Sequence, residues 1–134
     1  MRKFYFISLI LILLGGLVVY AQTKVKSRTE TVTEYDKKLK KFITHKESYQ
    51  LYNTNGDVMD EYGYDKKGSV NKHVKYEYNS NGKKTKEIHY KDNTTTIKFI
   101  VEFVYDSRGL KIEELEKTAD GTKTTSKRVF SYGF

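Results

Sequence analysis

The chain has 134 residues, 37% hydrophobic residues, a formal net charge of +8 and no cysteine. This length suits one domain of ordinary size. The absence of cysteine excludes a disulfide framework, which for an exported protein suits a bacterial envelope better than an animal extracellular space.

The first 21 residues have the pattern of a secretory signal peptide. Arg2 and Lys3 precede an uncharged run over residues 4–19, and residues of small or medium size follow, which predicts cleavage after Ala21. The rival interpretation is an uncleaved membrane anchor, since a spanning helix needs ~20 apolar residues. No cysteine lies near the cleavage point, which excludes a bacterial lipid anchor. Loss of Arg2 and Lys3 lowers the net charge from +8 to +6, and we expect a secreted or periplasmic protein.

The segment 22–34 is rich in Lys, Thr and Glu, with Val25 and Val32 as its only aliphatic residues. It predicts a polar N-terminal segment that leads into an edge strand. The repeat domain, residues 35–134, opens with a turn-like stretch in which Leu39 stands where a turn glycine would be expected. Because Leu resists the left-handed backbone conformation, the first turn should be longer or irregular.

One five-residue phrase then recurs along the chain. An Asp or Asn in its second position opens a type I turn, and the Gly in its fifth position takes the left-handed conformation that returns the chain as a hairpin. The four full copies are Tyr52-Asn53-Thr54-Asn55-Gly56, Tyr64-Asp65-Lys66-Lys67-Gly68, Tyr78-Asn79-Ser80-Asn81-Gly82 and Tyr105-Asp106-Ser107-Arg108-Gly109. We predict that the structural turn residues are Gly56, Gly68, Gly82, Gly109, Gly121, Asp65 and Asp106.

The repeat has a period of about 27 residues. The first positions of the full copies, of two degraded copies and of a last tyrosine are 52, 64, 78, 90, 105, 117 and 132, so two strands and two turns form one unit. This predicts an all-β fold, an up-and-down antiparallel meander that is either a twisted single sheet or curled into a sandwich or barrel. The eight predicted strands lie near 24–35, 40–52, 57–64, 69–78, 83–91, 95–105, 110–117 and 122–132.

The stretch from Tyr105 to Leu110, followed by Asp120-Gly121 and by Phe130-Ser131-Tyr132, resembles the YD repeat of Rhs-type secreted bacterial proteins. The resemblance covers about residues 49–134, as a short form without a toxin domain. It implies antiparallel hairpins that serve as a scaffold, while any toxic activity belongs to a separate domain.

Alternation along the strands predicts which side chains are buried. In 69–78 the apolar residues Val70, Val74, Tyr76 and Tyr78 are all at even positions. This predicts one buried face and one face in contact with water. Segment 96–105 has apolar residues on both parities and should be the most buried strand. In 110–117 the apolar residues change parity, which indicates a bulge.

The sequence contains no constellation that indicates a reaction. None of His45, His73 and His89 has a partner at a metal-ligand spacing, and His73 and His89 lie on polar parities, so we expect them to be solvated. The chain lacks the Gly-x-Ser-x-Gly elbow of serine hydrolases. Paired carboxylates such as Glu113 and Glu114 are adjacent and should point to opposite faces. We therefore predict no catalytic residue, no metal site and no cofactor.

Tyrosines two residues apart form the most distinctive surface feature. They most often cap a thin core, since Tyr packs its ring and keeps its hydroxyl wet, and this is the favoured interpretation. An exposed row could instead stack on sugars or on peptide side chains. The candidate ligand-stacking residues are Tyr62, Tyr64, Tyr76, Tyr78, Phe103 and Tyr105.

These patterns favour a non-enzymatic β-repeat protein that acts as a binding or scaffold module, with a protein or glycan of the cell envelope as partner. We expect no specific nucleic-acid partner, and membrane contact only through the signal segment before cleavage. One alternative is a small secreted enzyme whose acid and base groups converge only in three dimensions. Another is an eight-stranded outer-membrane barrel, suggested by the aromatic alternation in 130–134. The barrel is disfavoured because each Lys at mid-membrane costs ~2–4 kcal/mol and residues 83–89 carry charges on both parities.

Overall fold

The computed structural model describes residues 25–92 and 94–134, and these residues form eight β-strands. Each strand begins and ends within three residues of its predicted bounds. The largest differences are at the first strand, which begins at residue 27 and not at 24, and at the last strand, which ends at residue 129 and not at 132. The strands are β1 Ser27–Asp36, β2 Lys41–Tyr52, β3 Val58–Tyr64, β4 Val70–Tyr78, β5 Lys84–Tyr90, β6 Ile97–Tyr105, β7 Lys111–Lys117 and β8 Thr124–Val129.

The strands form one antiparallel sheet in the order β1 to β8, so each strand pairs with its neighbours in sequence. Among the described residues, β1 contacts only β2 and β8 contacts only β7. The predicted all-β meander of eight strands is therefore confirmed. Its form is the single open sheet, since the described residues neither curl into two layers nor close on themselves.

The turn glycines have φ values between 72° and 91°, and they are Gly56, Gly68, Gly82, Gly109 and Gly121. At the second phrase, the Asp65 carboxylate accepts hydrogen bonds from the amides of Lys67 and Ser69 at 2.9 Å and 2.8 Å. Asp106 holds the amides of Arg108 and Leu110 in the same way. Asp and Asn thus shape the turn, and Gly permits its left-handed end.

The first turn is irregular, as its missing glycine predicts. Asp36 pairs with Lys41 across a four-residue loop, and its carboxylate accepts bonds from the amides of Lys38 and Leu39. The left-handed position falls one residue later than in the glycine turns, on Lys40 with φ of 51°.

Every hairpin from β2 onward carries a bulge at the same place. In each, the second residue of the outgoing strand has no Cα partner on the incoming strand, which moves the following side chains to the other face. The bulge predicted in 110–117 is one of this series. The bulged residues are Met59, Asn71, Thr85, Lys98, Ile112 and Thr125.

The bulges divide the aromatic residues between the two faces of the sheet. Residues directly opposite on antiparallel strands share a face, and Tyr62 pairs with His73 whereas Tyr76 pairs with Glu87. Because His73 and Tyr76 differ in parity on β4, they lie on opposite faces. We call one side the stack face, defined by Tyr49, Tyr62, His73 and Tyr90, and the other the ladder face, defined by Tyr76, Lys84, Glu87, Phe103, Lys111 and Glu114.

The prediction of one buried and one wet face is wrong, because aromatic side chains cover both sides of the sheet. Val70 was expected to share a face with Val74. It pairs instead with Tyr64 and lies on the stack face, since the bulge at Asn71 separates the two valines. Counting odd and even positions along the sequence therefore assigns side chains to the wrong face beyond each bulge.

The core is thin, and Val74 on β4 is the only residue of the described chain that is fully buried, at 1% exposure. The prediction that 96–105 would be the most buried strand is wrong. In β6 most residues are half-buried and Val104 is 38% exposed. A single sheet has no second layer to bury either face. A strand with apolar residues at both odd and even positions therefore still stays partly exposed.

The predicted signal peptide, residues 1–21, lies outside the described residues. The polar segment ends as predicted in an edge strand, because β1 begins at residue 27 and has a neighbour on one side only. The described part of the chain contains no helix long and apolar enough to cross a membrane.

Candidate binding surfaces

The stack face is built around His73, which lies flat between two tyrosine rings. Its ring is 4.2 Å from that of Tyr62 and 4.3 Å from that of Tyr90, with interplanar angles of 14° and 15°. Tyr49 extends the row with a tilted contact of 6.3 Å to Tyr62. Four neighbouring strands, β2 to β5, thus contribute one ring each.

A carboxylate fixes the edge of this stack. His73 Nε2 lies 2.9 Å from Asp60 Oδ1, and both side chains are nearly buried, at 11% and 15% exposure. The Tyr62 hydroxyl also donates to Asp60 at 3.4 Å. The expectation that His73 is solvated is wrong, because the residue packs through its ring and satisfies its nitrogen on a carboxylate.

His89 has a similar arrangement on the ladder face, and its predicted solvation is also wrong. Its ring stacks on that of Phe99 at 4.2 Å, and its Nε2 lies 3.1 Å from the Glu87 carboxylate. Burial would raise the pKa of Glu87, but hydrogen bonds from Lys84 and His89, together with their charges, lower it overall. Glu87 is therefore held ionised within a half-buried cluster.

The ladder face repeats one set of side chains every 27 residues. Lys84 bonds Glu87 at 2.9 Å with its ammonium 4.3 Å above the Tyr76 ring. In the next unit Lys111 bonds Glu114 at 2.9 Å and lies 5.2 Å and 4.5 Å from the rings of Phe103 and Phe130. Aromatic, ammonium and carboxylate groups therefore alternate across the sheet in the same order in each unit.

A hydroxyl-to-backbone bond also repeats in the last three units. The hydroxyls of Tyr78, Tyr105 and Tyr132 donate to the carbonyls of Val58, Lys84 and Lys111, at distances of 2.7 Å, 2.7 Å and 2.8 Å. Each of these tyrosines closes or follows an even-numbered strand and bonds the start of the preceding strand. Burial raises the pKa of both Tyr78 and Tyr105, so each stays a donor at neutral pH.

A half-buried link joins β3 to β4 within the first of these units. The Tyr76 hydroxyl donates to Glu61 Oε2 at 2.5 Å, and Lys72 bonds the same carboxylate at 2.9 Å. Burial and then the bond to Glu61 raise the pKa of Tyr76 well above its usual range. Burial opposes ionisation of Glu61, but the Tyr76 and Lys72 contacts lower its pKa overall.

The six candidate stacking aromatics do not form one surface. Tyr62 and Tyr64 lie on the stack face, whereas Tyr76, Tyr78, Phe103 and Tyr105 lie on the ladder face. All six are half-buried, and ring faces in both groups are already covered. His73 covers Tyr62, and ammonium groups cover Tyr64, Tyr76 and Phe103 at 4.2 Å, 4.3 Å and 5.2 Å.

One shallow groove on the stack face includes a histidine that contacts a carboxylate. It is lined by Tyr62, Val70, His73 and the hydroxyl residues 94–96, and His73 contacts Asp60. Within residues 25–92 and 94–134, no three histidine, cysteine or acidic side chains cluster closely enough to hold a metal ion.

Sequence reasoning missed the ladder of Lys84, Glu87, Lys111 and Glu114 and the pair formed by His73 and Asp60. The ladder had a usable signal, because Lys84 and Lys111 are 27 residues apart, as are Glu87 and Glu114. The histidine pair had none, since its contact depends on the bulge that sets the register of β3 against β4.

Residues 64–125 match the profile of a family described as a protein of unknown function, DUF2963. The match runs from the last residue of β3 into β8, so it covers the hairpins that carry the ladder face. No curated protein matches the chain.

Proposed function

We propose that the chain is an exported, non-enzymatic β-repeat module that acts as a scaffold of the cell envelope and binds protein through its sheet edges. The main support for this proposal is that the sheet is open. Within residues 25–92 and 94–134, no strand pairs with the outer edge of β1 or of β8. Such an edge presents backbone amides and carbonyls to which an extended segment can add a strand.

The contacts on the two faces favour a binding site at a sheet edge over one on a sheet face. Sugar recognition needs open aromatic surface, yet His73 and ammonium groups already cover rings on both faces. The charged groups of the ladder face are paired with one another. A protein partner at an edge therefore fits better than a glycan on a face. The signal-peptide pattern and the resemblance to secreted YD-repeat proteins support export.

The test places a photoreactive amino acid at the edges and on the faces of the full chain in its source cells. Positions 29 on β1 and 126 on β8 sample the edges, and positions 75 on β4 and 98 on β6 are matched face controls. We expect protein cross-links from the edge positions and recovery of the chain in the envelope fraction. Cross-links from the face positions alone would refute edge binding, and recovery from the cytoplasm would refute export.

One observation favours a second candidate, a small exported enzyme. His73 and Asp60 form a histidine–carboxylate pair at a groove lined by threonine hydroxyls, the kind of arrangement that general acid–base catalysis uses. The sandwiched ring and the fully used Nε2 make packing the better explanation. A hydrolytic activity that survives purification and is abolished by His73→Gln would favour the enzyme.

A further inference from the structure

The two outer edges of the sheet carry opposite charge. Strand β1 holds one arginine and three acidic residues, which are Arg28, Glu30, Glu34 and Asp36, whereas β8 holds Lys127 and Arg128 and no acidic residue. Lysine and arginine on an edge usually repel another edge of the same sign. Here the basic edge has an acidic counterpart at the other end of the same chain.

The repeat also sets how a further strand would continue the sheet. The first position of the repeated phrase is 52, 78 or 105 at the end of an even-numbered strand and 64, 90 or 117 at the end of the next odd-numbered strand. Where two such strands pair, the residue four places before the first of these positions lies opposite the residue one place before the second. The observed pairs are Ser48 with Gly63, Val74 with His89 and Val101 with Glu116. Applied to Tyr132 and to Tyr35 of a second copy, the same register places Arg128 opposite Glu34.

This register is chemically favourable at neighbouring positions as well. Both Arg128 and Glu34 lie on the ladder face. Lys127 comes opposite Tyr35, a residue that is 52% exposed, so an ammonium again meets an aromatic ring. Arg128 is bonded to Glu114 and Glu34 to Lys66, but their side chains remain 72% and 35% exposed. A guanidinium has five donors, and a carboxylate accepts several bonds, so each group can take a second partner.

We propose that copies of this chain join head to tail, with β8 of one copy pairing antiparallel to β1 of the next in the register that sets Arg128 against Glu34. This deepens the proposed function, on which it rests, by naming the protein bound at the edge. The contact joins two different surfaces, so it leaves a free β1 and a free β8 at the ends of every assembly that does not close into a ring. The product is a linear fibre in which the sheet and its ladder face continue from copy to copy.

The test is sedimentation velocity on the full chain over a wide range of concentration and salt. We expect the mean mass to rise continuously with concentration and to fall with added salt. Arg128→Glu and Glu34→Arg should each weaken association about tenfold, since each replaces an opposite-charge pair with a like-charge pair. Lys98→Glu on the interior strand β6 is the matched charge control and should leave association unchanged.

An equal mixture of the Arg128→Glu and Glu34→Arg chains should assemble again, because the substituted residues of the two chains then pair with each other. Within one chain the two positions are seven strand spacings apart, about 34 Å, so restoration can come only from contact between copies. A mixture no better than its components would overturn the proposal.

Thr33→Pro tests the edge without changing charge. The carbonyl of Lys26 accepts a bond from the Tyr52 amide, so the alternation along β1 turns the amide of Thr33 outward. The proposed register places Thr33 opposite Val129. Proline there removes an outward donor and no backbone bond within the sheet. A variant that keeps the parent's circular dichroism should lose association, and retained association would overturn the proposal. If the parent is monomeric at every concentration, self-association is refuted, whereas edge cross-links to another envelope protein would still support the proposed function.

Discussion

The hydroxyl group of Tyr105 donates a hydrogen bond of 2.7 Å to the backbone carbonyl of Lys84, 21 residues earlier in the chain. Because Tyr78 and Tyr132 make the equivalent bond in the units on either side, the contact belongs to the repeat. It ties the end of a two-strand hairpin to the start of the same hairpin.

Tyr105→Phe should lower the free energy of unfolding by about 1 kcal/mol, since the ring stays and one hydrogen bond is lost. Urea titration measures the loss. Tyr35→Phe is the matched control, because that ring is half exposed and packs edge-on against Phe42. Equal stability of the Tyr105 variant and the control would show that the bond contributes nothing.

Two substitutions test the left-handed turn positions in opposite directions. Gly82→Ala should cost about 1 kcal/mol, although its new Cβ would meet nothing within 4 Å, because φ is 72° there. Lys40→Gly should stabilise by up to about 1 kcal/mol, since it relieves a side chain held at φ of 51°. Thermal unfolding of both variants measures these effects. Midpoint temperatures that shift in the same direction relative to the parent would contradict the turn assignment.

His73→Ala should destabilise the sheet by about 1–3 kcal/mol, because two stacked ring contacts are lost. His73→Phe is the matched control, since it keeps a ring between Tyr62 and Tyr90 and removes only the contact with Asp60. We expect it to cost less than the alanine variant in chemical denaturation. If the alanine variant were as stable as the parent, the stack would be a surface arrangement without energetic weight.

Val74→Ala should cost about 2 kcal/mol, since it removes two buried methyl groups from the one fully buried site of the described chain. Val104→Ala makes the same chemical change at a site that is 38% exposed and should cost less than about 1 kcal/mol. Urea midpoints at equal m-values provide the comparison. Equal losses would mean that burial is spread evenly along the sheet.

Stability should fall in acid through Glu61 and Glu87. Their pKa values lie below the ordinary 4.5 in the folded chain, so their contribution is present above that value and is lost as pH falls through the folded pKa. Glu87→Gln should therefore be less stable than the parent at pH 7, and the difference should shrink in acid. Glu47→Gln, at an exposed position on β2, is the control, and a Glu87 difference independent of pH would contradict the expectation.

The strands and turns could be predicted because both are written in local sequence. A tyrosine, an Asp or Asn, and a Gly at fixed spacing specify a turn through contacts within five residues, as at 64–68. The faces could not be predicted, since the bulge at Asn71 depends on how β3 and β4 pair and moves Val70 away from Val74. The contact of His73 with Asp60 likewise depends on that register, so it was missed together with the stack.

The bulge that recurs in the second position of each outgoing strand limits how such a chain can change length. Insertion or deletion of a whole unit of 26 or 27 residues adds or removes two strands and returns every later side chain to the same face. A change of one strand and one turn would reverse the direction of all later strands and move their aromatic residues to the opposite face. Duplication in whole units is therefore the step by which this architecture can lengthen during evolution without repacking.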